Sequence, residues 1–339
     1  MQVTLGSFSL EEKGKYKYLI SLNDPVTKVP LFRETGYLDI DYAPMAIDLL
    51  IPWYKNAIFA TQGIRDIVFD VNLNMSQLEL DKLSLEIMIF HKDCNAIIKN
   101  KKISLPLTKN NITFDAGGLP EGRLEIIAKL LDENGTAKAE TVHSFRKLPY
   151  RKGEVCLGRD MNWYIDGKKF FLRGAWCAEK DYIKELNAIT LNHHATANPS
   201  SIKDTYTKSI LAQDDMKILA SLMHLPAEYV PEKYSKLPPN VILYISSLIN
   251  KMSTTPQLFA YYLSDEPEVF GGIESGLREG YDLISELDPY HPVIISNDTV
   301  SGLKDFANCA DINGLHPYPP VLQGKTMNSF DKIRNLDPV

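Results

Sequence analysis

Two adjacent carboxylates, Asp265 and Glu266, end the apolar run Phe259-Ala260-Tyr261-Tyr262-Leu263 and are followed by Pro267. A carboxylic acid held partly out of water has a raised pKa and can give a proton to a leaving group. Neighbours on a strand point to opposite sides, so the spacing predicts that one of the two faces the site. A plainer role also fits. Glu266 and Glu268 flank a proline just ahead of a helical stretch, and helix starts favour acidic side chains. Polar and aromatic residues end other apolar runs too: Arg173 and Trp176, then Asn192, His193 and His194, then Asp298, then His316-Pro317-Tyr318-Pro319.

Each of these has two readings. Trp176 can form an apolar platform for a sugar ring or pack against a neighbouring domain. Asn192 and His193 can touch a polar substrate or belong to a plain loop. Adjacent histidines diverge on a strand and no third ligand is evident, so no metal is expected. Asp298 can bind substrate, or serve the turn-like segment Asn297-Asp298-Thr299. His316 and Tyr318 lie in a segment stiffened by prolines, which either aims a ring at a ligand or shapes a loop. Asp311 begins its apolar run, and a structural role is expected there.

These residues sit where strands alternate with helices. Six short apolar runs, 170–176, 188–194, 216–223, 259–263, 292–296 and 311–315, read as strands. Between two of them, Ile273, Leu277, Tyr281, Ile284 and Leu287 recur at helical spacing over residues 272–287. Alternation of this kind predicts parallel pairing in β/α units. In a (β/α)8 barrel the C-terminal strand ends form the active-site face, and eight units need about 250 residues. Residues 320–339 show no seventh strand and no glutamate. The expectation is therefore an incomplete TIM-type barrel over 170–339, of about six units. An open sheet of that kind would leave an unpaired edge.

Residues 1–150 read differently. Runs at 16–22, 64–73, 83–90 and 124–131 are rich in branched and aromatic residues, and the last stops at the turn Asp132-Glu133-Asn134-Gly135. No long helical stripe appears. An antiparallel, immunoglobulin-like β-sandwich is expected, with room for an incomplete extra sandwich at 1–50. Residues 151–169 read as linker and junction.

Of the 339 residues, 44% are apolar and 24% charged, an ordinary globular balance. Lys and Arg number 37 against 43 Asp and Glu, a net charge of -6. With no basic block, nucleic acid is not an expected partner. No apolar run is long enough to span a bilayer, and the start lacks the pattern of a signal peptide. Cys94, Cys156, Cys177 and Cys309 are far apart, with no zinc-ligand spacing. An extracellular or periplasmic location would require a signal upstream; otherwise the chain is expected in the cytoplasm.

The segment Asn162-Trp-Tyr-Ile-Asp-Gly-Lys-Lys-Phe-Phe-Leu-Arg-Gly174 resembles the sandwich-to-barrel junction of clan A glycoside hydrolases of the β-galactosidase and β-glucuronidase type. Lys169 stands where that family commonly has proline. The Asp-Glu-Pro and His-Pro-Tyr-Pro segments match as well. The resemblance implies a carbohydrate substrate, no cofactor and a retaining glycosidase, with Glu266 as general acid/base at the end of barrel strand four. Asp265 replaces the family's asparagine, which contacts the sugar 2-hydroxyl. Bacterial barrel proteins with a Tyr-Tyr-Leu-x-Asp-Glu-Pro segment share that departure. The family's nucleophile, a glutamate ending strand seven, has no counterpart here. The alternatives are a catalytically inactive carbohydrate-binding barrel, which binds sugar without turnover, and a structural module, which does neither.

Overall fold

The computed structural model describes residues 14–23, 30–40, 44–172, 174–176, 189–192, 217–222, 225, 227–315, 321–322 and 325–326. The chain divides into two units. Met1–Ile51 and Arg65–Phe145 form the first, and Pro52–Ile64 and Arg146–Val339 form the second.

The first unit is built of antiparallel strands. β1 (Gly14–Asn23) and β2 (Pro30–Ile40) form a hairpin. β3 (Met45–Ile51) comes next, and β4 (Ala57–Ile58) lies in the second unit. β5 (Asp66–Leu73), the short helix α1 (Gln77–Leu80), β6 (Ser84–His91), β7 (Ala96–Ile103), β8 (Lys109–Asp115), β9 (Gly122–Leu131) and β10 (Ala137–Lys147) follow. One sheet has the order β3-β5-β8, the other β4-β10-β9-β6-β7. β4 pairs in parallel with Arg146 and Lys147, the end of β10 that belongs to the second unit. Burial alternates with period two. Asn110, Ile112 and Phe114 of β8 are buried between exposed neighbours, as are Leu124, Ile126, Ala128 and Leu130 of β9 between half-exposed ones. One face of each sheet is thus withdrawn from water. The turn at 132–135 closes as its residues suggest: Asp132 Oδ1 accepts from the backbone N–H of Asn134 and Thr136, and Gly135 takes φ +78.

The second unit opens with a three-stranded antiparallel sheet, β11 (Val155–Leu157), β12 (Trp163–Ile165) and β13 (Lys168–Phe170). Asp166 (φ +48) and Gly167 (φ +74) make the two-residue turn between the last two. This differs from the sequence reading, in which 151–169 is a linker and 170–176 one strand. The left-handed turn folds Lys168–Phe170 back onto β12, so the chain starts again at β14 (Gly174–Trp176). β14, β15 (Ile189–Asn192), β16 (Lys217–Ser221), β17 (Leu258–Asp265), β18 (Val293–Asn297) and β19 (Ile312–Leu315) form one six-stranded parallel sheet in sequence order. Helices α2 (Pro239–Met252), α3 (Glu274–Leu287) and α4 (Val300–Asp305) connect its later strands. β20 (Val321–Leu322) and β21 (Lys325–Thr326) form a separate two-stranded ladder. Among the described residues the sheet does not close into a barrel.

Both faces of this sheet are covered. Tyr261, Leu263, Val293 and Ile295 pack with Val241, Ile245, Leu277 and Ile284 of the helices. Leu219, Phe259, Tyr262 and Ile294 face the other way, with Val155, Ile165, Trp163 and Phe170. Strands buried on both sides read as unbroken apolar runs, which explains residues 259–263.

The N-terminal edge of the sheet holds a buried polar network. Asp288 Oδ2 accepts from the Tyr261 hydroxyl and pairs with His291 Nδ1, each at 2.7 Å. The Lys55 ammonium lies 3.1 Å from Asp311 and donates to the His291 carbonyl at 2.7 Å, with both charged side chains under 5% exposed. Asp311 also accepts from the backbone N–H of Val293 and from the Tyr281 hydroxyl. It is the structural carboxylate its place at the start of a strand suggests. The sequence reading counts 52–64 with the sandwich. Here Tyr54, Ala57 and Phe59 join the cluster of Cys156 and Tyr290, in the second unit.

Candidate active site at the strand ends

Along the face opposite the helices, the parallel sheet changes character. Leu219, Phe259 and Ala260 line its lower part. Ser221 lies beside Tyr262 in the next row, and Asp265 beside Ser296 beyond it. The Ser221 hydroxyl is buried without a hydrogen-bond partner among the described residues. The apolar strand thus ends in hydroxyls and a carboxylate, where a polar ligand can be held.

Asp265 is the last residue of β17 and accepts a 2.6 Å hydrogen bond from the Tyr262 hydroxyl. Glu266 follows with φ +47, a left-handed conformation costly to a residue with a side chain. Its N–H donates to the Ser296 carbonyl at 2.7 Å, and its carbonyl accepts from the N–H groups of Val269 and Phe270. The strand therefore stops at Glu266, and the period-two argument for opposite faces stops with it. Both carboxylates act on the Tyr262 phenol. Burial and the Asp265 hydrogen bond push its pKa far up, and the charges of Asp265 and Glu266 add to this. Gly272 closes the turn. A Cβ there would lie 2.8 Å from the Pro267 side chain. Strain held by surrounding structure is a mark of functional sites.

The structural alternative for the Glu-Pro-Glu segment falls on Glu268. Its Oε1 accepts from the N–H groups of Asp298 and Thr299, at 2.7 and 2.9 Å, and from the Thr299 hydroxyl. With its amide nitrogen turned toward them, Asn297 donates to Glu268 Oε2 and to the Gly302 carbonyl at 3.3 Å. Glu268 therefore braces the start of α4, where Thr299 is the N-cap. The helix it serves is not α3, the next in sequence. A Cβ at Gly302 would come within 2.3 Å of the Glu268 carboxylate, which would have to shift from these bonds.

Glu232, from the loop after β16, has no signal in the sequence. Its carboxylate accepts from the Ser264 hydroxyl and its carbonyl from the Ile273 N–H. Burial raises its pKa against the opposing effects of Ser264 and Lys233, and the Asp265 charge raises it further. The fold brings Tyr262, Ser264, Asp265, Glu266 and Glu268 to the end of β17, and Asp298 directly follows β18. Trp176 and Asn192 are the last residues of β14 and β15. Arg173, His193, His316 and Tyr318 lie outside the described residues. Among the described residues, no three His, Cys, Asp or Glu converge to hold a metal ion, and no helix is long and apolar enough to cross a membrane.

No family model and no curated protein matches the chain. Solved structures do. The chain is 12% identical to Bacteroides uniformis β-glucuronidase 3, with a TM-score of 0.32, over 84% of this chain and 36% of that one. A putative β-galactosidase from Bacteroides fragilis gives 14%, 0.31, 80% and 41%. A β-D-glucuronidase from Dictyoglomus thermophilum gives 12%, 0.34, 88% and 54%. The matched part is thus between 36% and 54% of these three chains.

Proposed function

We propose that this protein hydrolyses O-glycosidic bonds of an oligo- or polysaccharide by a retaining mechanism, with Glu266 as general acid/base. In this reading the first unit is an immunoglobulin-like sandwich, and the parallel sheet belongs to a TIM-type barrel. The observation that carries it is the end of β17: an adjacent carboxylate pair beside a buried phenol, with Glu266 in a left-handed turn. A carboxylate nucleophile attacks the anomeric carbon while Glu266 protonates the departing oxygen. Glu266 then takes a proton from water, which releases the sugar from the nucleophile. The nucleophile, about 5–5.5 Å from the acid/base in such enzymes, has no counterpart in this sequence. Asp265 and Asp298 serve substrate contacts, as do Arg173, Trp176, Asn192, His193, His316 and Tyr318.

The test is turnover of a panel of aryl β-glycosides by the whole protein and its Glu266→Gln variant, with the anomer of the first product read by NMR. Turnover with retention, abolished in the variant, is the expected result. Equal turnover in both sinks the role of Glu266. Saturable sugar binding without turnover in either favours the inactive binding protein.

A further inference from the structure

A second cleft lies among the segments that open the second unit, outside the parallel sheet. It encloses about 430 Å³, within the size range of small-molecule sites. Trp53 and Tyr164 supply aromatic walls, Cys156, Thr61 and Gln62 line it further, and Arg159 and Asp160 fringe it. The walls are held in place. The Trp53 indole N–H and the Gln62 amide both donate to the Leu157 carbonyl, at 2.8 and 3.2 Å. Gly158 lets the Tyr164 ring approach, since a Cβ would lie 2.5 Å from it. Arg159 and Asp160 ride on a tight turn closed by Gly158 and Asn162.

The chemistry of the lining selects a ligand class. The Arg159 guanidinium lies over the Trp53 ring, 5.3 Å from its centroid, and has no carboxylate partner among the described residues. Its N–H donors are uncommitted. Asp160 accepts from Tyr164 at 3.0 Å and Lys169 at 3.2 Å, so its charge is matched. Burial pushes the Cys156 thiol up to about 12 and keeps it neutral. The charged side chains of the lining are thus one of each sign, Arg159 and Asp160. A lining with no net excess of charge does not favour an ion. Aromatic faces edged by donors and acceptors of both signs match a ring whose hydroxyls donate and accept at once. We propose that this cleft is a carbohydrate-holding site for a neutral mono- or disaccharide, distinct from the carboxylates at the end of β17. It does not depend on the hydrolase reading.

Ligand-observed NMR titrations of the whole protein with methyl β-glucopyranoside, methyl β-galactopyranoside and cellobiose test it. At least one sugar is expected to bind saturably in the millimolar range. Loss of one hydrogen-bonding side chain should weaken it about 3- to 10-fold in Arg159→Ala and in Asp160→Ala. Both positions are exposed, and far-ultraviolet circular dichroism checks the fold. Binding by none of the three sugars overturns the proposal, as does binding of equal strength in wild type and Arg159→Ala.

Discussion

The two ends of the parallel sheet hold acidic side chains in opposite states. At the N-terminal edge Asp288 is fully buried, and burial alone would raise its pKa. The charge and hydrogen bond of His291, the Tyr261 hydroxyl and Lys55 outweigh that and hold it below the usual carboxylate value. At the other end Glu232 is raised by burial, with the Asp265 charge acting in the same direction. Glu266 adds a left-handed backbone. Acids that stabilise the fold are matched with cations. Acids kept at a cost are the ones to suspect of chemistry.

Five substitutions, two of them followed over a range of pH, can break or sharpen that contrast. Glu266→Gln should lower kcat/KM on an aryl glycoside by about 10²- to 10⁴-fold, with an unchanged urea midpoint. Loss of stability there would mean that both ends are structural. Asp288→Ala leaves His291 and Tyr261 without their acceptor, and about 3–5 kcal/mol of stability should go, read by urea unfolding. Glu268→Ala should cost about 1–3 kcal/mol, because it strips the acceptor from two backbone N–H groups at the start of α4. An unchanged unfolding curve would remove its bracing role.

The pH scan compares wild type with Asp288→Asn. A carboxylate lowered in the folded state stabilises above its unfolded pKa, near 3.8, and that stability is lost as pH falls through the lower folded value. Wild type should therefore lose more stability than the variant on acidification below about pH 4. The smallest effect is expected for Glu232→Gln. A carboxyl raised in the folded state costs stability as pH climbs past its unfolded value of 4.5. The variant should gain on wild type between pH 4 and pH 7, by no more than about 1 kcal/mol. A loss over that range would place Glu232 with the acids that stabilise the fold.

Much of this was legible in the chain itself. Each of the six apolar runs overlaps one of the six parallel strands, and the helical stripe at 272–287 contains α3, because burial on both faces and burial on one leave different periods. Polar strands were not legible. β7, with the sequence AIIKNKKI, is half exposed, and it is a strand because β6 offers it an edge. The left-handed turn at Asp166-Gly167, which folds Lys168–Phe170 back onto β12, lies in a segment whose sequence reads as linker.

The candidate site divides the same way. Residue type and position marked Asp265 and Glu266, since an acidic pair ending an apolar strand is a local pattern. Only the tertiary structure gave the helix-bracing role to Glu268, brought Glu232 from 32 positions away to Ser264, and set Lys55 against Asp311 across 256 positions. Hydrophobic period is a property of neighbours in sequence, so the chain carries it alone. Which charge is matched and which is left at a cost depends on chain crossings, and those exist only once the sheet has formed.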